Sequence, residues 1–235
     1  MKGATRYHQI AEYYRSQIES QAMTAGKKMP TEEQICDLFQ VSRITARQAM
    51  SELVQSGHIE RIQGKGSFVR AIKMDMQLNH LQGFTEEMRA KGMSAFSHVL
   101  SVAVEPVDDV IAKHLDLSEG AQVISIKRVR YANGEPMAVE YVYLPFHICP
   151  DLVNREHSGS LYSLLEEYGI TVAKAKQDIT AGFSPRAVCD LLEIKPAVPT
   201  LLIERTTYLE NGSPLEYVRS MYRSDRYSFH VEMSR

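Results

Sequence analysis

The apolar positions in the first part of the chain recur at the spacing of α-helices. Three such stripes run over residues 7–18, 35–39 and 46–54, each with the i, i+3, i+4 spacing of a helix that has one buried face. Thr31 and Gln34 have capping-box spacing directly before the second stripe. The pattern predicts three short helices, and the tight turn between the last two predicts a helix-turn-helix unit.

A β-hairpin is predicted directly after these helices. Short apolar runs over 59–62 and 67–69 flank the sequence Gln63-Gly64-Lys65-Gly66, and two glycines in four residues are typical of a tight hairpin turn. A hairpin in this position predicts the winged form of the helix-turn-helix. Gly64 and Lys65 then lie at its tip, where a lysine can reach a phosphate group or the minor groove of DNA.

The remainder of the chain alternates between strands and short helices. Asn133-Gly134 and Asn211-Gly212 stand between alternating strand patterns and are strong signals for two-residue hairpin turns. The pattern predicts strands over 96–104, 123–131, 137–144, 170–183, 200–209 and 215–222, and helices over 86–91, 110–115, 161–168 and 185–192.

The two hairpins belong to an internal repeat. Arg128 matches Arg205 and Tyr131 matches Tyr208 at a spacing of 77 residues, and the two Asn-Gly turns match at 78. A duplicated unit of helix, strand, turn and strand predicts an α+β domain with one antiparallel sheet. A ligand is expected where the two halves of such a domain meet.

Charge divides the chain in the same way as the pattern. Residues 1–73 hold 11 basic and 7 acidic side chains, whereas residues 74–235 hold 16 and 22. A basic head on an acidic body predicts that only the head meets a polyanion such as DNA. We therefore predict a winged helix-turn-helix DNA-binding domain over 4–72, a linker over 73–81 and a ligand-binding and dimerisation domain over 82–233.

Composition excludes several classes of protein. Apolar residues make up 44% and charged residues 24% of the chain, which is typical of globular proteins. No apolar run reaches the roughly 18 residues of a membrane helix and the N-terminus has no signal-peptide core, so a cytoplasmic protein without a membrane partner is expected. Three widely separated cysteines offer neither a disulfide framework nor zinc spacing, and no metal or cofactor is expected.

The third predicted helix carries candidate DNA-binding residues. Arg43 and Arg47 lie four residues apart on one face, near Thr45 and Gln48. The first part of a recognition helix meets base edges in the major groove, where Arg grips guanine and Gln grips adenine with two hydrogen bonds. The alternative is a solvated helix face with two ordinary arginines, and the residues alone leave both interpretations open.

A second group of residues suggests an anion site. Arg128 and Arg130 point from the same face of one predicted strand, and two adjacent guanidiniums suit a phosphate or a carboxylate; the alternative is a pair of surface arginines. Further candidates precede helices or follow the hairpin turns, namely Gly83, Phe84, Thr85, Ser160, Tyr162, Glu140 and Glu216. For these residues the alternatives are simple helix capping and exposed strand glutamates.

The head resembles the DNA-binding domain of the GntR family of bacterial transcription regulators. The resemblance rests on MPTE at 29–32, VSRITARQA at 41–49 and QGKGSFV at 63–69. It implies base or phosphate contacts from Arg43 and Arg47, backbone contacts from Thr31 and Thr45, and minor-groove entry at the Gly64 wing tip. Glu33 stands where the family often has Arg, and a carboxylate binds neither phosphate nor guanine. Either that contact is lost or the operator differs from the family's common one.

The body resembles the UTRA effector-binding domain of the HutC subfamily, whose fold is similar to that of chorismate lyase. The motifs are GFTEEM at 83–88, RVR at 128–130, NGEPM at 133–137, SLY at 160–162, GSPLEY at 212–217 and YRSDRY at 222–227. The resemblance implies that the backbone of the first motif and the paired arginines hold a phosphate, and that the pocket is completed by Ser160, Tyr162, Glu140, Glu216 and Tyr222. Lys174 stands where such relatives often carry Arg.

These features favour a homodimeric transcriptional repressor that binds operator DNA. The resemblance implies release by a small anionic effector, with a sugar phosphate such as a hexosamine phosphate ahead of a carboxylate such as urocanate. One alternative is an enzyme of chorismate lyase-like fold that acts on a small acid, although no catalytic arrangement of residues stands out. Another is a DNA-binding architectural protein with no effector.

Overall fold

The computed structural model describes residues 5–20, 22–70, 73–78 and 80–233. The chain divides into two units, Met1–Lys73 and Met74–Arg235, which we call the head and the body. Each unit has its own hydrophobic clusters. Within the described ranges, no helix combines the length and the apolar character that crossing a bilayer requires.

Three helices build most of the head, and they lie where the apolar stripes predict them. They are α1 (Arg6–Glu19), α2 (Glu32–Phe39) and α3 (Arg43–Gln55). The predicted capping box begins α2. The Thr31 hydroxyl accepts a hydrogen bond from the Gln34 N–H at 3.2 Å, and the Gln34 side chain accepts one from the Thr31 N–H at 2.9 Å. Two backbone donors at the helix start are thereby satisfied.

A two-stranded hairpin completes the head. β1 (Ile59–Ile62) pairs antiparallel with β2 (Gly66–Val69), and Gly64 has a φ of +76° in the turn, a conformation that favours glycine. The helices and the hairpin share one core, whose buried members are Ile10, Ala11, Tyr14, Ile18, Met29, Ile35, Ala46, Ala49, Met50, Leu53, Ile59 and Val69. The arrangement is a winged helix-turn-helix, as predicted.

The body contains four α-helices, eight strands and two short 3₁₀ turns among the described residues. The helices are α4 (Phe84–Ala90), α5 (Asp109–Leu115), α6 (Leu161–Glu167) and α7 (Arg186–Leu191), and the 3₁₀ turns cover Phe146–Ile148 and Pro150–Asn154. The strands are β3 (Met74–Gln77), β4 (Ala95–Pro106), β5 (Gln122–Ala132), β6 (Glu135–Pro145), β7 (Lys174–Gly182), β8 (Thr200–Tyr208), β9 (Pro214–Arg223) and β10 (Tyr227–His230).

A six-stranded antiparallel sheet forms the centre of the body, in the order β4-β5-β6-β9-β8-β7. The hairpins β5-β6 and β8-β9 meet in the middle, where Val142 lies opposite Val218. α5 precedes the first hairpin and α7 precedes the second, so the predicted repeat forms the two halves of one sheet. The α+β fold with an antiparallel sheet is confirmed.

The predicted linker over 73–81 is wrong for four of its residues, because Met74–Gln77 forms β3. This strand pairs in parallel with β10, with Met76 opposite Phe229, and Met76 is fully buried. A parallel partner about 150 residues further along the chain leaves no hairpin signal in the local sequence. The segment that follows the head is therefore part of the folded body.

Different helices cover the two faces of the sheet. α4 and α6 pack on the front face, which carries Ile126, Arg128 and Arg130. α5 and α7 pack on the back face, which carries Val123 and Val129. The candidate anion-binding arginines therefore lie on the front face, in the region that α4 and α6 cover.

Candidate DNA interface and anion pocket

The first turns of α3 present the predicted DNA-binding face to solvent. Arg43, Arg47 and Gln48 are exposed, whereas Thr45 is half-buried and its N–H donates to the Ser42 hydroxyl at 3.3 Å. The other three candidates, Thr31, Gly64 and Lys65, are also exposed. All of these candidates belong to the head, and each exposed side chain is free of core packing.

Acidic residues of α2 pair with the arginines of this face. The Arg47 Nε donates to the Glu32 carboxylate at 3.2 Å, and an Arg61 nitrogen lies 3.8 Å from the other oxygen of Glu32. The Glu33 carboxylate lies 3.7 Å from an Arg43 nitrogen. Glu33, the departure from the family pattern, is therefore placed directly against a candidate base-reading arginine.

One group in the head has the residue types of a metal site. His8, Glu12 and Glu52 bring one ligand atom each within metal-binding distance of one another. Arg15 already forms ion pairs with both carboxylates, and the His8 Nδ1 lies 2.8 Å from Glu52. The carboxylates thus have cationic and hydrogen-bonding partners within the protein.

In the body, Arg128 and Arg130 are buried rather than solvated, which excludes the alternative of surface arginines. Their exposed fractions are 5% and 1%. The Arg128 Nε donates to Glu140 at 2.9 Å, and an Arg130 nitrogen donates to the Thr85 hydroxyl at 2.8 Å. The Phe84 ring centroid lies 4.5 Å from the Arg130 guanidinium carbon. Buried cations of this kind require partners, and α4 and β6 supply them.

Glu140 is the counter-charge of the pair. It is 3% exposed, which excludes the alternative of an exposed strand glutamate, and its carboxylate also lies 3.8 Å from the Arg130 Nε. Burial alone would raise the pKa of Glu140, but the Arg128 and Arg130 guanidiniums outweigh it and hold that pKa below its usual value. Burial, together with Arg128, lowers the pKa of Arg130 to about 10, so the Arg130 guanidinium remains charged at neutral pH.

The opposite wall of the pocket comes from α6 and the second hairpin. Glu216 is buried and accepts hydrogen bonds from the Thr207 hydroxyl at 2.7 Å and the Tyr162 hydroxyl at 3.2 Å. Burial raises the pKa of Tyr162, and the Glu216 carboxylate adds to the effect. Ser160 caps α6 by accepting from the Ser163 N–H, as its capping alternative predicts, and it also lines the pocket.

A third arginine, which the residue patterns did not single out as a site residue, lines the same pocket. Arg205 is the repeat partner of Arg128 at the 77-residue spacing, and this spacing was the available signal. The Nε atoms of Arg130 and Arg205 are buried and have no hydrogen-bond partner within the described part of the chain. Three arginines and two glutamates line the pocket, so positive charge is in excess by one.

The pocket opens beside a much larger cavity. The arginine pocket has a volume of about 20 Å³, whereas the adjoining cavity has a volume of about 420 Å³, and Arg205 lines both. The cavity walls combine polar and apolar side chains, including Glu87, Gln177, Ser220, Tyr222 and Tyr227. Tyr222, predicted for the arginine pocket, lines this cavity instead.

One further prediction has a different outcome from the one expected, and the position of Lys174, which the sequence leaves open, is now defined. The Gly83 N–H donates to the Glu86 carboxylate at 3.0 Å, so it is occupied rather than free for an anion, although Gly83 lines the pocket. Lys174 lines neither the pocket nor the cavity. Its ammonium lies 5.4 Å from the Tyr208 ring centroid, because its position in β7 points it to the back face.

Glu87 provides a test of the cavity electrostatics. Burial raises the pKa of Glu87 to about 7, although Arg205 opposes the shift. Because this pKa lies above the unfolded value, the folded body holds a proton that the unfolded chain loses, and stability falls as pH rises from about 4.5 to 7. Glu87→Gln stays neutral, so we expect it to be more stable than the wild type at pH 8 and little different at pH 4.5. Urea denaturation at the two pH values measures this.

An exposed carboxyl in the same unit supplies the control for Glu87. Glu119→Gln removes such a carboxyl, and we expect it to change stability equally at both pH values. A stability difference between Glu87→Gln and the wild type that does not depend on pH would contradict the proton uptake at Glu87.

Comparison with known proteins assigns a family model to each of the two units. The head matches the model of bacterial regulatory proteins of the gntR family over residues 6–69, and the body matches the UTRA domain model over 90–228. The chain is 35% identical to the transcriptional repressor NagR of Bacillus subtilis, over 97% of this chain and 95% of that protein. It is 32% identical to the mannosyl-D-glycerate transport/metabolism system repressor MngR of Escherichia coli, over 95% of this chain and 93% of that protein.

The fold has a solved counterpart in PhnF from Mycobacterium smegmatis. That crystal structure superposes with a TM-score of 0.77 at 28% identity, over 96% of this chain and 99% of that chain. The curated relatives are transcriptional regulators rather than enzymes. The chain therefore belongs to the GntR family of bacterial transcriptional repressors, in the HutC subfamily that joins a winged helix-turn-helix domain to a UTRA effector domain.

Proposed function

We propose that this chain is a homodimeric repressor whose operator binding is released by a small anionic effector in the body. The observation that carries the proposal is the pocket in which three arginines face two glutamates and two buried Nε atoms lack acceptors among the described residues. A buried positive charge without a partner is costly, and a bound phosphate or carboxylate supplies both the missing charge and the missing acceptors.

The adjoining cavity favours a sugar phosphate over a flat carboxylate. The cavity of about 420 Å³ presents carboxyl, amide and hydroxyl groups through Glu87, Gln177, Ser220 and Tyr222. A polyhydroxylated ligand can bond to several of these groups at once, whereas a ligand with a single carboxylate leaves most of them to water. The relative MngR is named for a mannosyl-D-glycerate system, a sugar derivative that carries a carboxylate, which supports the sugar moiety of the proposed ligand but not the choice of phosphate.

Effector binding must rearrange the pocket. A volume of about 20 Å³ holds roughly one water molecule, so an anion enters only if Arg130, Arg205 or their neighbours move. A switch needs such a difference between the free and bound states, and a coupling of about 1–3 kcal/mol between effector and DNA is sufficient.

In a dimer the two recognition helices reach half-sites about 34 Å apart. Because operator DNA belongs to the bacterial chromosome, the proposed function also places the protein in the cytoplasm.

A thermal-shift screen tests the proposed effector site. We expect inorganic phosphate to stabilise the protein weakly and hexosamine 6-phosphates more strongly, with about 2.7 kcal/mol gained at a hundredfold excess over Kd. An imidazole carboxylate tests the other ligand class. The effector that raises Tm should also release the protein from DNA in a mobility-shift assay.

Matched arginine variants keep this test specific. Arg205→Met removes a pocket guanidinium and should abolish the ligand-dependent rise in Tm. Arg219→Met removes an exposed guanidinium, and the rise should persist. If neither phosphate-bearing nor carboxylate-bearing ligands raise Tm, the proposed effector site is incorrect.

A further inference from the structure

The outward face of α3 carries a large apolar side chain. The side chains that α3 buries in the core of the head are Ala46, Ala49, Met50 and Leu53. At 3.6 residues per turn, the line directly opposite these residues runs through Ile44, Gln48 and Ser51. Ile44 is 70% exposed, so an aliphatic group stands in the middle of the face that the first turns of α3 present to solvent.

Local structure gives no reason for an isoleucine at this position. Ile44 is the second residue of α3, where the helix dipole favours acidic side chains, and its branched Cβ makes it a weaker helix former than alanine or leucine. Among the described residues of the head, neither the buried core nor the side chains packed against it include Ile44. Stabilisation from this side chain therefore depends on a partner that covers it.

The neighbours of Ile44 indicate which partner this is. Lone apolar side chains are ordinary on protein surfaces, but Ile44 lines a hollow together with Arg47 and Gln48. The guanidinium of Arg47 suits guanine, and the Gln48 amide has the two groups that bind adenine. The apolar group that base pairs present in the major groove is the C5 methyl of thymine, which lies on the same base pair as adenine.

We propose that Ile44 is a specificity-determining residue that packs on the C5 methyl of a thymine in the operator. This role rests on the proposed function, because it takes α3 as the helix that reads the DNA. Gln48 follows Ile44 by one helical turn on the same face, so both side chains reach into the same short stretch of base pairs. Cytosine presents an amino donor instead of a methyl, and isoleucine leaves that donor unpaired, so the contact favours thymine.

The size of the effect follows from a single methyl group. Burying one group of this size changes an equilibrium by about fourfold, and the contact is lost when either the thymine methyl or the Ile44 side chain is removed. Uracil has the hydrogen-bonding groups of thymine and lacks only the methyl. Replacing thymine by uracil therefore removes the proposed contact and no hydrogen bond.

Leu38 supplies a matched control. Its side chain is 63% exposed on α2, so Leu38→Ala removes an aliphatic group of similar size and exposure from the head without changing α3. Alanine is the best helix former, and neither side chain belongs to the buried core. Both Leu38→Ala and Ile44→Ala should therefore fold, and thermal unfolding of each variant checks this.

Quantitative binding by the full-length protein tests the proposal. The wild type selects a preferred duplex from a random duplex library, and each thymine of that duplex is then replaced singly by uracil. The wild type, Ile44→Ala and Leu38→Ala are titrated with every duplex at one salt concentration, because affinity for DNA depends strongly on salt.

We expect uracil to weaken binding by the wild type about fourfold at the thymine that Ile44 covers. Ile44→Ala should bind the thymine and uracil forms of that position equally, whereas Leu38→Ala should keep the difference seen with the wild type. Removing the side chain and the methyl separately and together forms a double-mutant cycle, which isolates the contact from any general effect of uracil on the duplex.

Three results would overturn the proposal. A wild type that loses no affinity at any uracil position contacts no thymine methyl. A loss that persists undiminished in Ile44→Ala assigns the methyl contact to another side chain. A wild type that selects no preferred duplex overturns the proposed function as well, which distinguishes the two failures.

Discussion

Glu140→Gln is expected to lower the free energy of unfolding by about 3–5 kcal/mol, the range measured when one partner of a buried ion pair is removed. Glutamine has nearly the same shape, so packing is retained. The change leaves Arg128 and Arg130, which are 5% and 1% exposed, without their carboxylate. Urea denaturation at pH 7, followed by circular dichroism, measures the loss.

An exposed ion pair of the body provides the control. Glu167 pairs with Arg155, and their side chains are 55% and 38% exposed, so Glu167→Gln should cost less than about 1 kcal/mol. Inorganic phosphate should restore part of the stability of Glu140→Gln, because an anion replaces the lost charge. If the free energies of unfolding of Glu140→Gln and Glu167→Gln differ by less than about 1 kcal/mol, the Glu140 carboxylate does not stabilise the arginine pair.

The same variant has a predictable pH dependence. The pKa of Glu140 lies below its usual value in the folded body, so the ionised carboxylate contributes stability above the unfolded pKa of about 4.5. That contribution is lost as pH falls through the folded pKa. Because glutamine does not titrate, the difference between the wild type and Glu140→Gln should shrink in acid.

Arg47→Ala is expected to weaken binding to a preferred duplex, selected by the wild type from a random duplex library, by roughly fivefold to 150-fold, the value of one bidentate base contact. The side chain is 65% exposed and its pair with Glu32 is partly solvated, so the fold should be little affected. A mobility-shift titration measures the affinity, and thermal unfolding of the same sample confirms that the head is intact.

An exposed arginine in the body provides a control for the effect of losing one positive charge. The Arg186 side chain is 83% exposed on α7, and Arg186→Ala removes the same charge outside the head. It should leave duplex affinity nearly unchanged. Equal affinity of Arg47→Ala and the wild type would show that the exposed face of α3 is an ordinary solvated surface, which is the alternative that the sequence left open.

Features with local causes could be predicted from the sequence. The capping box of Thr31 and Gln34 depends on residues three apart, and it marks the start of α2. The hairpin turn at Asn133 depends on a positive φ, which is +48° at Asn133 and +81° at Gly134, and few residues tolerate such values. Signals of this kind are complete within a few residues, so no knowledge of the tertiary fold is needed.

Features with distant causes could not be predicted in the same way. β3 has its partner β10 at the other end of the body, and alternation over four residues is too short to reveal it. Arg205 was visible only as the repeat partner of Arg128, and its role depends on the front face that both hairpins share. The burial of Glu140 and Glu216 likewise depends on α4 and α6, which cover that face.

The pairing of β3 with β10 has a consequence for signalling. Gln77 at the end of β3 and Leu78 just after it line the large cavity, together with Phe229 of β10. β3, the first strand that the structure describes after the head, thus ends at the wall of the cavity proposed for the sugar moiety. We therefore expect an occupant that displaces this wall to displace β3 as well, so that the proposed signal reaches the head along the polypeptide itself rather than through other helices.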